Sequence, residues 1–250
     1  MKIVIIGGTG LIGSQVVKNL PENVDVLVGS PQTGVNTVTN RGVEEALTNA
    51  EVVVDVSNSP SFADEDVLTF FTSSTQNIVA ASKKAGIKHL VILSVVGTDQ
   101  LQKSGYFRAK KAQEDLIKAS GIPYTIVQAT QFFEFAGSIA AGSRVQNKIV
   151  LSTAFTQPIA SAEIAAFVSE RAIGEPANST LEIGGPERVG MDKWIRYYLQ
   201  VMKKPLDVVI DTNAPYFGSA IGQTTLVPVH AAFTGAIHYK DWISKSENQQ

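Results

Sequence analysis

The chain of 250 residues contains no cysteine, which excludes disulfide bonds, thiolate metal sites and cysteine nucleophiles. It has no basic excess either: Lys and Arg number 21 against 23 Asp and Glu, and a net charge of -2 argues against electrostatic binding of nucleic acid. No apolar run approaches the roughly 18 residues of a membrane-spanning helix. The opening MKIVIIGGTG has too few apolar residues for a signal peptide. We therefore expect a cytoplasmic protein with neither a nucleic-acid nor a membrane partner.

Histidine is scarce as well, with three residues in the chain. His230 and His238 have no Asp or Glu at metal-ligand spacing, so no metal site is expected. His89 starts an apolar run and is expected in the core rather than in catalysis.

Short apolar runs alternate with helical patterns over the first half, which predicts an α/β fold built on a doubly wound parallel sheet. The predicted strands are Lys2–Ile6, Val24–Val28, Val35–Val38, Val52–Val56, His89–Val95 and Tyr124–Val127. The predicted helices are Leu11–Leu20, Gly42–Thr48, Val67–Ala85, Tyr106–Ala119, Ser161–Ile173 and Asp192–Met202. We expect a dinucleotide-binding core over residues 1–130, with residues 131–250 forming a substrate-binding subdomain interleaved with it as one structural unit.

A glycine-rich loop, Gly7-Gly-Thr-Gly-Leu-Ile-Gly13, lies between the first strand and the first helix. Its glycines allow a tight turn and a close approach to a pyrophosphate at the helix N-terminus. The alternative is a purely structural turn. The predicted cofactor contacts in this loop are Gly7, Thr9, Gly10, Leu11, Ile12 and Gly13.

The residues after the second strand favour NADP(H) over NAD(H). An acid at that strand end would bind the ribose 2′-hydroxyl of NAD, and here the strand ends at Ser30 instead. Ser30, with Thr9 or Gln32, is expected to donate to a 2′-phosphate. Asn36 is placed to contact the adenine or else to stabilise a turn. Ser57, two residues after a strand-end Asp, is expected to face the cofactor.

Ser94 ends a strand, and Tyr106 and Lys110 follow at helical i, i+4 spacing on one face. An ammonium near a phenol lowers the pKa of the phenol, as general acid–base catalysis requires. We therefore predict Tyr106 as the proton donor, Lys110 as the group that lowers its pKa, and Ser94 as the hydrogen-bond donor to a substrate carbonyl. The alternative is a surface helix with a packed tyrosine.

Three segments carry a family resemblance: GGTGLIG, LSVVGTDQLQKSGYFRAKKAQEDLIKASGIPYTIVQATQFFEF and ASAEIAAF. They resemble an atypical short-chain dehydrogenase/reductase of the NmrA-like, NAD(P)H-binding group. The resemblance implies a Rossmann-type sheet with a small C-terminal substrate subdomain. It implies that the loop glycines hold the pyrophosphate and that Lys110 binds the ribose. One departure is Gln128-Ala129, where such proteins often have Arg-Pro.

Aromatic residues follow the sixth predicted strand and recur near the C-terminus. Phe132, Phe133 and Tyr216 are predicted to line a pocket for a flat apolar substrate. The alternative is that these aromatic residues fill the core, where large apolar residues usually lie.

These observations predict an NADP(H)-dependent oxidoreductase that reduces a carbonyl or quinone-like small molecule by hydride transfer. One alternative is a non-catalytic NADP(H) redox sensor, and another is an aromatic polyketide-tailoring oxidoreductase or oxygenase on the same fold. The resemblance further implies a homodimer formed through the helices at 67–85 and 106–119.

Overall fold

The computed structural model describes residues 1–248 and contains a seven-stranded parallel sheet with helices on its flanks. Its strands follow the order β12-β9-β5-β4-β3-β1-β2. These strands are β1 (Lys2–Ile6), β2 (Asp25–Gly29), β3 (Val52–Asp55), β4 (His89–Val95), β5 (Tyr124–Ala129), β9 (Ser179–Gly184) and β12 (Ala231–Thr234). The expected Rossmann-type α/β fold is confirmed.

Strand β1 lies between β2 and β3, and the candidate site is at the carboxyl ends of these strands. It pairs with β2 on one side and β3 on the other, so the chain reverses its direction of winding beside β1. Ile6, at the carboxyl end of β1, is level with Gly29 on β2 and Asp55 on β3. Strands β1 and β3 are apolar along nearly their whole length because helices cover both faces. Ligands bind at such a reversal point in open α/β sheets.

The α-helices of the described residues are α1 (Leu11–Asn19), α2 (Val43–Leu47), α3 (Asp64–Ala85), α4 (Gly105–Lys118), α5 (Ala136–Gly142), α6 (Ser161–Ile173), α7 (Met191–Val201) and α8 (Tyr239–Ile243). The sequence predicted all of these helices except α5 and α8. Helices α3 and α4 pack on each other through Val67, Phe71 and Ala109. Within residues 1–248, no helix is both long enough and apolar enough to cross a membrane.

The remaining strands are short and lie outside the seven-stranded sheet. They are β6 (Arg144–Val145), β7 (Lys148–Leu151), β8 (Phe155–Thr156), β10 (Val189–Gly190) and β11 (Asp207–Ile210). Strands β6, β7 and β11 form a three-stranded sheet, and β8 pairs with β10.

Two predicted elements need correction. The strand expected at Val35–Val38 is a single bridge between Asn36 and Arg41, because Gly34 and Gly42 adopt left-handed backbone conformations around it. Helix α3 begins at Asp64 rather than Val67. Its first three residues are acidic, which suits the positive end of a helix but lies outside the apolar pattern used for the prediction.

The chain divides into two compact units. The first comprises Met1–Ser94, Gly105–Gln128 and Ile164–Leu181, and it contains the glycine loop and the Tyr–Lys helix. The second comprises Val95–Ser104, Ala129–Glu163 and the residues from Glu182 onward. Each unit therefore takes segments from both halves of the sequence.

Candidate active site

The glycine loop packs directly against the end of β3 in the first unit. Gly7 has a φ of +79°, and a Cβ atom built on it would lie 2.8 Å from the Cα atom of Ser57. A Cβ on Gly13 would lie 2.2 Å from the carbonyl oxygen of Gly7. Neither position has room for a side chain. The loop therefore needs glycine at both positions for its turn and for the close approach of α1 to β1.

Helix α1 presents an uncapped N-terminus at this loop. Its N-cap is Gly10, which has extended backbone angles and no side chain with which to satisfy the first turn. The Ser14 amide is bonded to the Gly10 carbonyl, whereas the first amides of any helix have no carbonyl partner within it. Such a terminus binds anions through its N–H groups and dipole. The crowded glycines and the open N-terminus together fit a pyrophosphate.

The residues predicted to select the cofactor have local partners. Ser30 is buried, and its amide donates to Thr33 Oγ1 at 2.9 Å in a short turn that follows β2. Asn36 Oδ1 accepts the amides of Val38 and Thr39 at 3.1 Å each, as expected for a turn asparagine. The contacts of Ser30 with a 2′-phosphate and of Asn36 with adenine stay predictions.

A chain of hydrogen bonds, buried at Gln113 and partly buried at Ser57, runs from Ser57 to Lys110. Ser57 donates to Asp55 Oδ1 through its amide at 3.0 Å and through Oγ at 2.6 Å. Gln113 Nε2 donates to Asp55 Oδ2 at 2.9 Å, and Lys110 Nζ donates to Gln113 Oε1 and, at 2.8 Å, to the Leu93 carbonyl. Helix α4 is thereby tied to the carboxyl ends of β3 and β4.

Burial controls the charge of Lys110. The residue is 3% exposed, and this desolvation lowers the pKa of its ammonium to about 8, although the charges of Asp55 and Glu114 oppose the shift. Desolvation also raises the pKa of the Asp55 carboxyl, while the hydrogen bonds from Ser57 act in the other direction. Lys110 Nζ lies 4.4 Å from the centre of the Phe71 ring, which supplies a cation–π contact.

Tyr106 lies in an aromatic cluster that it shares with Phe62, Phe71 and Phe107. The centre of its ring is 5.7 Å from that of Phe62, 6.0 Å from that of Phe71 and 5.5 Å from that of Phe107. Burial among these rings raises the pKa of the Tyr106 hydroxyl to about 12. Desolvation is what shifts this pKa, and the Lys110 ammonium donates to the Leu93 carbonyl and Gln113 Oε1, so the role of Lys110 in lowering the pKa of Tyr106 stays a prediction.

Ser94 also has a different partner from the one predicted. Its side chain is 2% exposed, and Oγ donates to Glu114 Oε1 at 2.6 Å. Gln128 Nε2 donates to the same oxygen at 2.8 Å, and Lys118 Nζ lies 3.3 Å from Glu114 Oε2. The Ser94 hydroxyl was predicted to donate its hydrogen bond to a substrate carbonyl, but it donates to Glu114 within the first unit.

Sequence reasoning missed Gln113 and Glu114 as parts of this site. They follow Tyr106 by seven and eight residues, which returns both to its face of α4 after two turns. The signal in the sequence was that Gln113 and Glu114 are polar although they lie on the face of α4 that packs inward.

The aromatic residues predicted to line the pocket belong to the second unit. Phe133 is 2% exposed and packs against Tyr239 and Trp242, with ring centres 5.0 and 5.5 Å away. It therefore fills the core of that unit, as the alternative interpretation expected. Phe132 is half-buried and stacks on Phe135 at 4.9 Å, and Tyr216 is buried. In the part of the chain that the structure describes, no group of three His, Asp or Glu side chains could hold a metal ion.

A family model described as NAD(P)H-binding matches residues 7–172. Photosystem II assembly factor Ycf39 of Synechocystis sp. is 24% identical over 175 residues, covering 64% of this chain and 54% of that protein. The (4-alkanoyl-5-oxo-2,5-dihydrofuran-3-yl)methyl phosphate reductase of Streptomyces griseus subsp. griseus is 27% identical over 156 residues, covering 57% and 52%. The chain spans about half the length of these curated relatives.

Among solved structures, a dTDP-4-dehydrorhamnose reductase from Bacillus anthracis in complex with NADP superposes with a TM-score of 0.72 at 13% identity. The match covers 97% of each chain. At this level of identity the likeness concerns the fold.

Proposed function

The chain belongs to the NAD(P)H-binding family, and from that membership we propose that it is an NADP(H)-dependent oxidoreductase that reduces a carbonyl or quinone-like small molecule. The predicted resemblance to atypical short-chain dehydrogenases/reductases of the NmrA-like group is confirmed. The observation that carries the proposal is the glycine loop, in which Gly7 and Gly13 leave no room for a side chain beside the open end of α1.

The proposed cofactor is held by residues of the first unit. The N-terminus of α1 would bind the pyrophosphate together with loop amides other than those of Gly7 and Gly10, which donate to the carbonyls of Gly29 and Gly7. Lys110 would bind the ribose. The absence of an acid after β2 supports NADP(H), with NAD(H) as the alternative. A bound nicotinamide cofactor supplies a hydride.

The chain's own contribution is a proton and a positive charge. With a pKa of about 12, Tyr106 keeps its proton at neutral pH and would donate it to the reduced oxygen as negative charge develops there. Lys110, with a pKa of about 8, is largely cationic at pH 7 and supplies the positive charge. Ser94 has no part in this scheme because its proton is held by Glu114.

The first experiment is a fluorescence titration of the purified protein with NADPH and with NADH. We expect micromolar binding, with NADPH tighter than NADH. If neither bound, the glycine loop would be structural and the proposal would fail.

Tyr106→Phe tests the proton donor, with menadione as a quinone probe and 4-nitrobenzaldehyde as a carbonyl probe. We expect kcat to fall on the order of 100-fold while NADPH affinity is retained. An unchanged kcat would remove Tyr106 from the reaction.

A second candidate is a non-catalytic sensor of the cofactor. The arrangement of Ser94 and Lys110 favours it, since these two of the three groups predicted for catalysis are bonded within the protein. Its signature is an affinity for NADPH at least tenfold different from that for NADP⁺, without turnover of either probe.

A further inference from the structure

Gln113 separates two buried charged groups that would ordinarily pair directly. Its Oε1 accepts from the Lys110 ammonium, and its Nε2 donates to Asp55 Oδ2 at 2.9 Å. An ammonium can only donate and a carboxylate can only accept, so these two contacts fix the orientation of the amide. Gln113 itself is buried. A side-chain amide makes both contacts without adding a charge to the interior.

The other charged groups near Lys110 have their own partners. Glu114 accepts from Ser94 and Gln128 and lies beside Lys118, although its charge still reaches Lys110. Among the side chains of residues 1–248, Gln113 is thus the acceptor that Lys110 uses, beside the Leu93 carbonyl.

The same chain of contacts extends to the glycine loop. Asp55, which holds Gln113, also holds Ser57, and the backbone of Ser57 lies against Gly7. Displacement of the Gln113 amide would therefore disturb the end of β3 on which the loop rests, as well as the lysine.

We propose that Gln113 is a positioning residue that fixes the direction of the Lys110 ammonium and sets how strongly the charge of Asp55 acts on it. The proposal rests on the proposed function, in which Lys110 contacts the cofactor. A buried amide used in this way keeps the lysine out of a direct ion pair, so the ammonium is held by two neutral acceptors, Gln113 Oε1 and the Leu93 carbonyl, rather than by a carboxylate. Direct pairing would hold it through a strong charge-assisted bond.

Two substitutions at this position should act in opposite directions. Gln113→Met keeps the length of the side chain but removes the acceptor, which disfavours the charged lysine. Gln113→Glu places a carboxyl group against Lys110 and removes the donor to Asp55 Oδ2. Where both carboxyl groups are ionised, the added negative charge favours the charged lysine. A merely structural role would weaken folding in both variants without moving the titration of Lys110 in opposite directions.

The readout is the NADPH dissociation constant between pH 6 and 10. In the unmodified protein we expect it to begin rising near pH 8, where Lys110 loses its proton. Gln113→Met should move that rise to lower pH, and Gln113→Glu should move it to higher pH by roughly one unit, which is tenfold in affinity at a fixed alkaline pH. Gln157→Met is the matched control, since Gln157 donates to the Gly185 carbonyl in the second unit.

A second measurement follows Lys110 without the cofactor. The free energy of unfolding of each Gln113 variant is compared with that of the same variant carrying Lys110→Met, as a function of pH. The onset of the pH-dependent difference reports the Lys110 titration directly and should shift in the same two directions. Unmoved titrations in both measurements would overturn the role of Gln113. Absence of NADPH binding would overturn the proposed function alone, because the unfolding comparison still decides the role of Gln113.

Discussion

Replacing Lys110 with methionine should change how stability depends on pH more than it changes stability at neutral pH. Burial lowers the pKa of Lys110 from 10.5 to about 8. Between these values the unfolded chain holds the proton and the folded chain does not, so the free energy of unfolding rises with pH. A tenfold change in proton affinity is worth about 1.4 kcal/mol, so the wild-type protein should gain up to about 3 kcal/mol over this range relative to Lys110→Met.

At pH 7 two effects of the substitution oppose each other. Methionine removes an ammonium whose charged form is disfavoured by a net cost of about 3 kcal/mol, but it leaves the Leu93 carbonyl and Gln113 Oε1 without their donor. Each unpaired acceptor costs about 1–3 kcal/mol. The two proteins should therefore be of similar stability at pH 7, with the variant falling behind by up to about 3 kcal/mol near pH 10.5.

Urea unfolding followed by circular dichroism at half-unit steps from pH 7 to 10.5 measures this difference. Lys111→Met is the control, since Lys111 is on the same helix but pairs with Asp115 at the surface. Its difference from wild type should be nearly flat. A flat difference for Lys110→Met as well would refute the idea that a strongly desolvated ammonium occupies this position.

Three further substitutions test other parts of the description. Gly13→Ala places a methyl group 2.2 Å from the Gly7 carbonyl oxygen, so the NADPH affinity measured by titration should fall roughly tenfold or more. The control is Gly142→Ala, whose methyl group has its nearest contact at 3.7 Å and should leave the affinity unchanged. Burial lowers the pKa of His89 from 6.5 to about 4. The free energy of unfolding of the wild-type protein should therefore fall by up to about 3 kcal/mol between pH 6.5 and 4. In urea unfolding, His89→Gln should show a smaller fall over the same pH range. Ser94→Ala should lower the unfolding free energy by about 1–3 kcal/mol and spare NADPH affinity, because Glu114 loses a donor; a loss of kcat without a loss of stability would restore the predicted catalytic role.

The elements that sequence predicted best are those with a strong local signal. The β-branched run before Gly7 and the glycine spacing after it locate β1, the loop and α1 without knowledge of the rest of the chain. Gly86 directly follows α3 and adopts the left-handed conformation that favours glycine at a helix end.

The directions in which the side chains of the site point could not be predicted from the sequence. Strand β4 is covered on both faces, so its residues show no alternation from which the side of Ser94 could be predicted. The i, i+4 spacing correctly places Tyr106 and Lys110 on one face of α4 but carries no information on competing acceptors. Asp55 lies 58 residues from Gln113 along the chain, and only the folded sheet brings the two together.

The polar face of α4 explains why these contacts matter beyond one lysine. Lys110, Gln113 and Glu114 are all buried and follow one another at the spacing that normally carries apolar core residues. Each is satisfied by groups at the ends of neighbouring strands, namely Asp55 on β3, Leu93 and Ser94 on β4 and Gln128 on β5. Directional bonds of this kind tolerate less sliding than apolar packing, because a displaced donor leaves a buried acceptor unpaired. The register of α4 against the sheet therefore depends on these polar contacts. Because Tyr106 is on the same helix, its location depends on them too.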